Sequence, residues 1–147
     1  MDSYIDVGLH ICFSALSGFI AWGIFGQSDK KSLVFSIFFA LLSGVFIDLD
    51  HFLDHFLTFG FHFNYDYFIR GEYFLRTGKT YIVFHGFEYV IILGILSIFL
   101  QDKKKKMIFI ALTLAMFFHL IVDILLFSIP IKNYFILYRI FHDFRRF

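Results

Sequence analysis

The chain has 147 residues, 59% of them hydrophobic and 17% charged, with a formal net charge of +1 and one cysteine. That apolar share exceeds the roughly one-half of soluble domains, and a mean hydropathy of +0.76 points the same way. The near-zero charge excludes bulk attraction to nucleic acid, the lone Cys12 excludes an internal disulfide or a thiolate metal cluster, and the length fits one domain.

Four apolar runs follow in order. The first, Tyr4–Phe25, begins after an N-terminus (MDSYIDVGLH) without a basic stretch, so it is expected to be retained rather than cleaved. It carries His10, with Asp6 four residues earlier. A short polar joint, GQSDKKS, leads to the second run, Leu33–Leu49, which ends in Asp48, Asp50 and His51. Residues 52–80 are aromatic and mixed in charge; FGFHFNYDYF alternates aromatic and polar side chains. This segment is expected as an aromatic interfacial loop, with Asp54, His55, His62 and Asp66 in interfacial positions. The third run, Tyr81–Leu100, opens with His85 and Glu88. A second tight joint, QDKKKK, precedes the fourth run, Met107–Ile129, which contains His119 and Asp123 and stops at Pro130. The tail IKNYFILYRIFHDFRRF, residues 131–147 with His142, reads as an amphipathic interfacial helix.

Each run is long enough for a hydrocarbon layer about 30 Å thick. The two short joints imply antiparallel hairpins. The expected fold is therefore all-α: a single transmembrane domain, a four-helix bundle in which Ser14, Ser17, Gly18, Ser36, Ser43 and Gly44 permit close helix contact. Lys30, Lys31 and Lys103–Lys106 fall in the two short joints. Positive charge marks the cytoplasmic side, so an inner-membrane protein with both termini and the long loop outside is expected. The 25 phenylalanines read as compositional bias rather than a stacking platform.

Every run thus carries an ionisable side chain where hydrocarbon penalises one by several kcal/mol unless it is paired or faces a polar cavity. Antiparallel order places His10, Asp48–His51, His85 with Glu88, and His119 with Asp123 at similar depth in one leaflet. The pairs His119/Asp123, His85/Glu88 and Asp48/His51 have helical spacing, each pair on one helix face. Imidazole plus carboxylate is a ligand set for zinc or another divalent transition metal. Candidate ligands are His10, Asp48, Asp50, His51, His85, Glu88, His119 and Asp123. Asp48 or Asp123 is the candidate bridging and catalytic carboxylate. Arg70, Arg76 and Lys79 are candidate phosphate contacts.

DLDH after an apolar run, HGFE opening the next and HLIVD inside the last resemble the small integral-membrane metal-dependent hydrolases of bacteria and archaea, grouped with the zinc phospholipase C and single-strand nuclease superfamily. The resemblance covers roughly His10 to Asp123. His10, Asp48, Asp50, His51, His119 and Asp123 match its pattern, and His85 keeps the first position of a two-histidine segment whose second histidine is absent here; Glu88 is the expected substitute. The resemblance implies hydrolysis of a phospholipid or other phosphoester by metal-activated water, with one to three ions. Three other readings compete: a haem-binding bundle with His85 and His119 as axial ligands, a metal or proton transporter, and a non-catalytic membrane scaffold.

Overall fold

The computed structural model describes residues 3–25, 29–69 and 78–145. Every regular element among them is helical: α1 (Ser3–Ile24), α2 (Lys30–Phe46), a 3-10 turn (Ile47–Leu49), α3 (Asp50–Phe59), α4 (Tyr65–Ile69), α5 (Phe87–Phe99), α6 (Lys103–Phe127), a 3-10 turn (Ile131–Tyr134) and α7 (Ile136–Phe141). Both polar joints start a helix in the same way. Asp29 accepts the Ser32 amide at 2.8 Å, and Asp102 accepts the Lys105 amide at 2.8 Å. Each carboxylate thereby satisfies an amide that the first helical turn leaves unpaired. The hydrogen bonds from Ser32 also hold the Asp29 carboxyl below its usual range.

Among the described residues, three helical stretches are long and apolar enough to cross a membrane: Ile5–Ile24, Lys30–Phe59 and Lys103–Phe127. The second apolar run therefore does not stop at Leu49; a single tight turn carries it into α3. The third run is shorter than expected. It is helical only over Phe87–Phe99, 13 residues, or about 20 Å at about 1.5 Å per residue. Residues 81–85 are not helical. Tyr81, Ile82, Val83 and Phe84 are aromatic or β-branched, types that fit extended backbone, and Gly86 begins the helix from an extended conformation. The tail is also not one interfacial helix. Ser128, in the left-handed region at φ 51, ends α6; Pro130 follows, and only six residues of the tail form an α-helix.

α1, α2 and α6 pack against one another, and α5 packs against α6. Small residues set the spacing. Ser36 donates to the Gly18 carbonyl at 2.7 Å, and Ser43 donates to the Leu112 carbonyl at 3.1 Å. A Cβ on Gly18 would lie 2.5 Å from the Ile37 Cα, and one on Gly44 would collide with the Ser14 hydroxyl. Below these contacts, Ala21, Ala40, Met107, Ala111 and Ala115 form a buried cluster. A second cluster, Ile47, Phe87, Leu120 and Tyr134, ties the α2–α3 turn and α5 to the returning tail.

The burial pattern is inverted relative to a water-soluble protein. Histidines, aspartates and serines are inside, while Phe19, Val34, Phe38, Ile95 and Leu125 are among many large apolar side chains facing outward. α7 follows the same rule: Arg139 is 4% exposed and Phe141 83%. In the segment expected as an interfacial loop, Phe52 stacks on Phe68 with ring centroids 4.4 Å apart, and Phe63 packs beside both. Asp54 and His55, expected at the interface, are instead fully buried.

Candidate metal centre

The two histidines that organise the centre come from unlike backbone. His119 lies in α6, and its Nδ1 is 2.8 Å from the Gly44 carbonyl. A carbonyl can only accept, so Nδ1 carries a proton, and in the neutral ring Nε2 presents a lone pair. His85 lies in the non-helical segment, with Nδ1 3.1 Å from the Asp50 carboxylate. In its neutral form the same reasoning makes its Nε2 a lone pair. These two Nε2 atoms face each other at 3.1 Å. Both rings cannot be imidazolium, because two N–H groups would then point at one another.

Two carboxylate oxygens meet the same point. Asp48 Oδ1 is 3.2 Å from His85 Nε2 and 3.4 Å from His119 Nε2. Asp123 Oδ2 is 3.6 Å and 3.4 Å from the same two nitrogens. Four ligand atoms held at about 2.0–2.1 Å in a tetrahedron stand about 3.4 Å from one another. The five distances among His85, His119, Asp48 and Asp123, from 3.1 to 3.6 Å, match that edge. His85, His119 and Asp123 fit a divalent ion on donor type and on spacing, with Asp48 Oδ1 close to both imidazole nitrogens.

The convergence extends beyond these four. His10 Nε2 is 3.1 Å from Asp6 Oδ1 and 3.2 Å from Asp123 Oδ1, and its ring stacks on His119 at 3.9 Å. Asp123 therefore serves two groups, one through each oxygen. His51 Nε2 lies 3.5 Å from Asp48 Oδ1 on the more open side. The sets His85/His119/Asp123, His10/Asp48/His119, Asp48/His51/His85 and Asp6/His10/Asp123 each have ligand atoms within 4.8 Å of one another. Asp6 was not among the expected ligands, although its place four residues before His10 was visible in the sequence.

Asp50 and Glu88 stand elsewhere. Asp50 backs His85: it takes the ring N–H and also accepts the Phe84 amide at 2.6 Å. It is the orienting partner that metal-ligating histidines commonly have. Glu88 does not join the cluster. Its two oxygens accept the Ile136 and Leu137 amides at 3.0 Å each, capping α7. Because His85 precedes the helix, the helical spacing expected of His85 and Glu88 does not bring them together.

The backbone carrying His85 is held by side chains rather than by a helix ladder. Asp54 accepts the Tyr81 amide at 2.6 Å. Arg139 donates to the carbonyls of Ile82 and His85, the latter at 2.7 Å. Irregular backbone within a hydrocarbon layer requires such internal partners. Burial pulls the Arg139 guanidinium below the usual arginine value, while Asp50 and Glu88 act against that shift. Burial and then the Asp123 charge hold the Tyr134 phenol above its usual value. The sequence reading did not single out Arg139 and left Asp54 at the interface, because only the folded tail and α3 bring them to this segment.

Of the expected phosphate contacts, Arg70 and Arg76 lie outside the described residues. Lys79 is 2.7 Å from Asp143, and its backbone bridges Arg145. It ties the start of the His85 segment to the tail. No family model, curated protein or solved structure matches this chain.

Proposed function

We propose that this chain is an integral membrane protein of the inner membrane, with a divalent-metal centre, most simply zinc, that hydrolyses a phosphoester near the extracytoplasmic surface. One observation carries the reading. The Nε2 atoms of His85 and His119 lie 3.1 Å apart, and one oxygen each of Asp48 and Asp123 lies 3.2–3.6 Å from both. With both rings neutral, four acceptors meet without a donor among them and repel; a cation resolves this. His10, Asp6 and His51 extend the ligand set towards a second ion, with Asp123 shared between the groups. The inverted burial pattern supports the membrane reading.

A bound divalent metal supplies Lewis acidity, easing loss of a proton from water and polarising a phosphoryl oxygen. The chain's own groups divide the remaining work. The Asp48 side chain is 36% exposed, against 9% for Asp123. Asp48 is thus the carboxylate placed to hold a water against substrate, and Asp123 the one that holds the centre together. His51, 24% exposed and beside Asp48, is placed to take up a proton. Water adds across the P–O bond: its oxygen bonds to phosphorus, and a proton passes to the departing alkoxide oxygen. A haem between His85 and His119 fits poorly, because their nitrogens share one point with two carboxylates and the His10 ring already covers His119.

The test is metal analysis of detergent-purified protein with a panel of phospholipids and lipid phosphates, with and without added zinc. Bound metal, its loss in His119→Ala and Asp123→Ala, and turnover abolished by chelation and by Asp48→Asn are expected. Unchanged stoichiometry in both alanine variants would remove the metal centre. Metal-replete protein that turns over no phosphoester would turn the reading towards transport or scaffolding.

A further inference from the structure

α2 and α5 both flank α6 and leave a groove of about 310 Å³ between them. Leu42 and Phe46 line it from α2, Ile92 and Leu93 from α5, and Met116 from α6, with Phe84 where the non-helical segment begins to turn into α5. The volume is at the lower end for small-molecule sites. The lining is apolar apart from the Ser43 hydroxyl and the Tyr89 phenol. Its Ser43 hydroxyl is engaged by the Leu112 carbonyl at 3.1 Å, so it asks nothing of an occupant. Beyond the one hydroxyl of Tyr89, a polar guest would lose hydrogen bonds there without replacement; a hydrocarbon chain would not. The flanking surfaces, with Phe46 53% and Ile92 51% exposed, are those that meet the hydrocarbon layer if the long helices cross it.

Two features tie the groove to the candidate centre. Ile47 and Phe84, both in its lining, are the chain neighbours of Asp48 and His85, and Met116 is one turn before His119. Next to Ile47 stands Asp48, the most open carboxylate of the centre.

We propose that the groove holds an acyl chain of a lipid whose phosphorylated headgroup reaches the centre at Asp48. This deepens the hydrolase reading and rests on it: the substrate is a lipid-borne phosphoester that slides in laterally from the bilayer, with the chain between α2 and α5 as the recognition element. A water-soluble phosphoester would not use the groove.

Leu93→Trp and Leu42→Trp fill the groove from opposite walls without touching a ligand. Wild type and both variants in nanodiscs would be compared on dioleoyl phosphatidic acid and on p-nitrophenyl phosphate, with metal per chain measured alongside. A KM for the lipid raised about tenfold or more, with p-nitrophenyl phosphate turnover and metal content unchanged, is expected. Phosphatidic acid carrying a diazirine in its acyl chain should crosslink to α5 or α6 beside the groove, and both variants should lose that crosslink. Equal lipid kinetics in all three proteins, or crosslinks spread evenly over the outer helix faces, would overturn the groove. Turnover of p-nitrophenyl phosphate alone would overturn it while leaving the hydrolase reading intact. If neither substrate is turned over, the hydrolase reading falls, and the crosslink pattern still decides whether a chain lodges there.

Discussion

Asp50 and Glu88 are both carboxylates near His85 in the chain or in space, yet their contacts give them different work. Asp50 accepts the His85 ring N–H and the Phe84 amide at once. Both bonds end on Oδ2, and an asparagine puts a neutral carbonyl oxygen in place of that charged acceptor, which holds the ring N–H more weakly. Asp50→Asn should therefore lower metal affinity about 10- to 100-fold, the usual cost of losing an outer-shell partner, measured by competition with a chelating dye. Glu88→Gln should leave metal content and affinity unchanged while lowering stability by about 1 kcal/mol, as lost capping bonds do, read from thermal unfolding in detergent. Metal loss in Glu88→Gln would return that residue to the ligand set.

The most consequential element is the non-helical stretch 81–86, because a ligand sits on backbone that cannot hold itself. α3 holds its amides through Asp50 and Asp54, and α7 holds its carbonyls through Arg139. Arg139→Met keeps the length and removes the donors. It should raise hydrogen exchange across 81–86 and weaken metal binding about tenfold or more, while α1, α2 and α6 keep their protection. Unchanged exchange in that stretch would mean that the tail does not position His85. The α1–α2 contact makes a separate demand. Gly18→Val places a branched side chain on the Ile37 backbone, and overpacking of this kind should destabilise by about 1–3 kcal/mol, visible as a lower unfolding temperature.

Over the whole molecule, the two polar joints lie at one end. A pocket of about 170 Å³ is lined by Asp29, Lys31 and Ser32 from one joint, Lys104 from the other and Met107 just after it. Lys79 is tied to the tail, away from that pocket. With Cys12 replaced by serine, single cysteines at Lys31 and Lys104 should react with an impermeant reagent from the same side of the membrane, and one at Lys79 from the other. Labelling of all three from one face would contradict a membrane crossed by these helices in the proposed order.

How much of this was legible depended on the range of the interaction. Hydropathy and the two polar joints determined where α1, α2 and α6 run, because the preference of an apolar stretch for a helix in hydrocarbon is set by its own composition. The same local order brought His10, Asp48, His51, His85, His119 and Asp123 into one set, since antiparallel runs of similar length align their positions by depth alone. Helical spacing also tied Asp6 to His10. The tight turn after α2 and the unwound backbone before α5 were written only weakly, in the Tyr-Ile-Val-Phe stretch and Gly86. The roles of Asp50, Glu88 and Arg139 were not legible at all. A carboxylate or guanidinium takes whichever partner the fold delivers: the α7 amides and the Ile82 carbonyl meet Glu88 and Arg139 only once the tail has folded back beyond Pro130, and the His85 ring meets Asp50 only once α3 lies against residues 81–86. Composition and local spacing chose the helices and the ligand types; long-range closure alone decided which ionisable side chains face the centre and which hold its backbone.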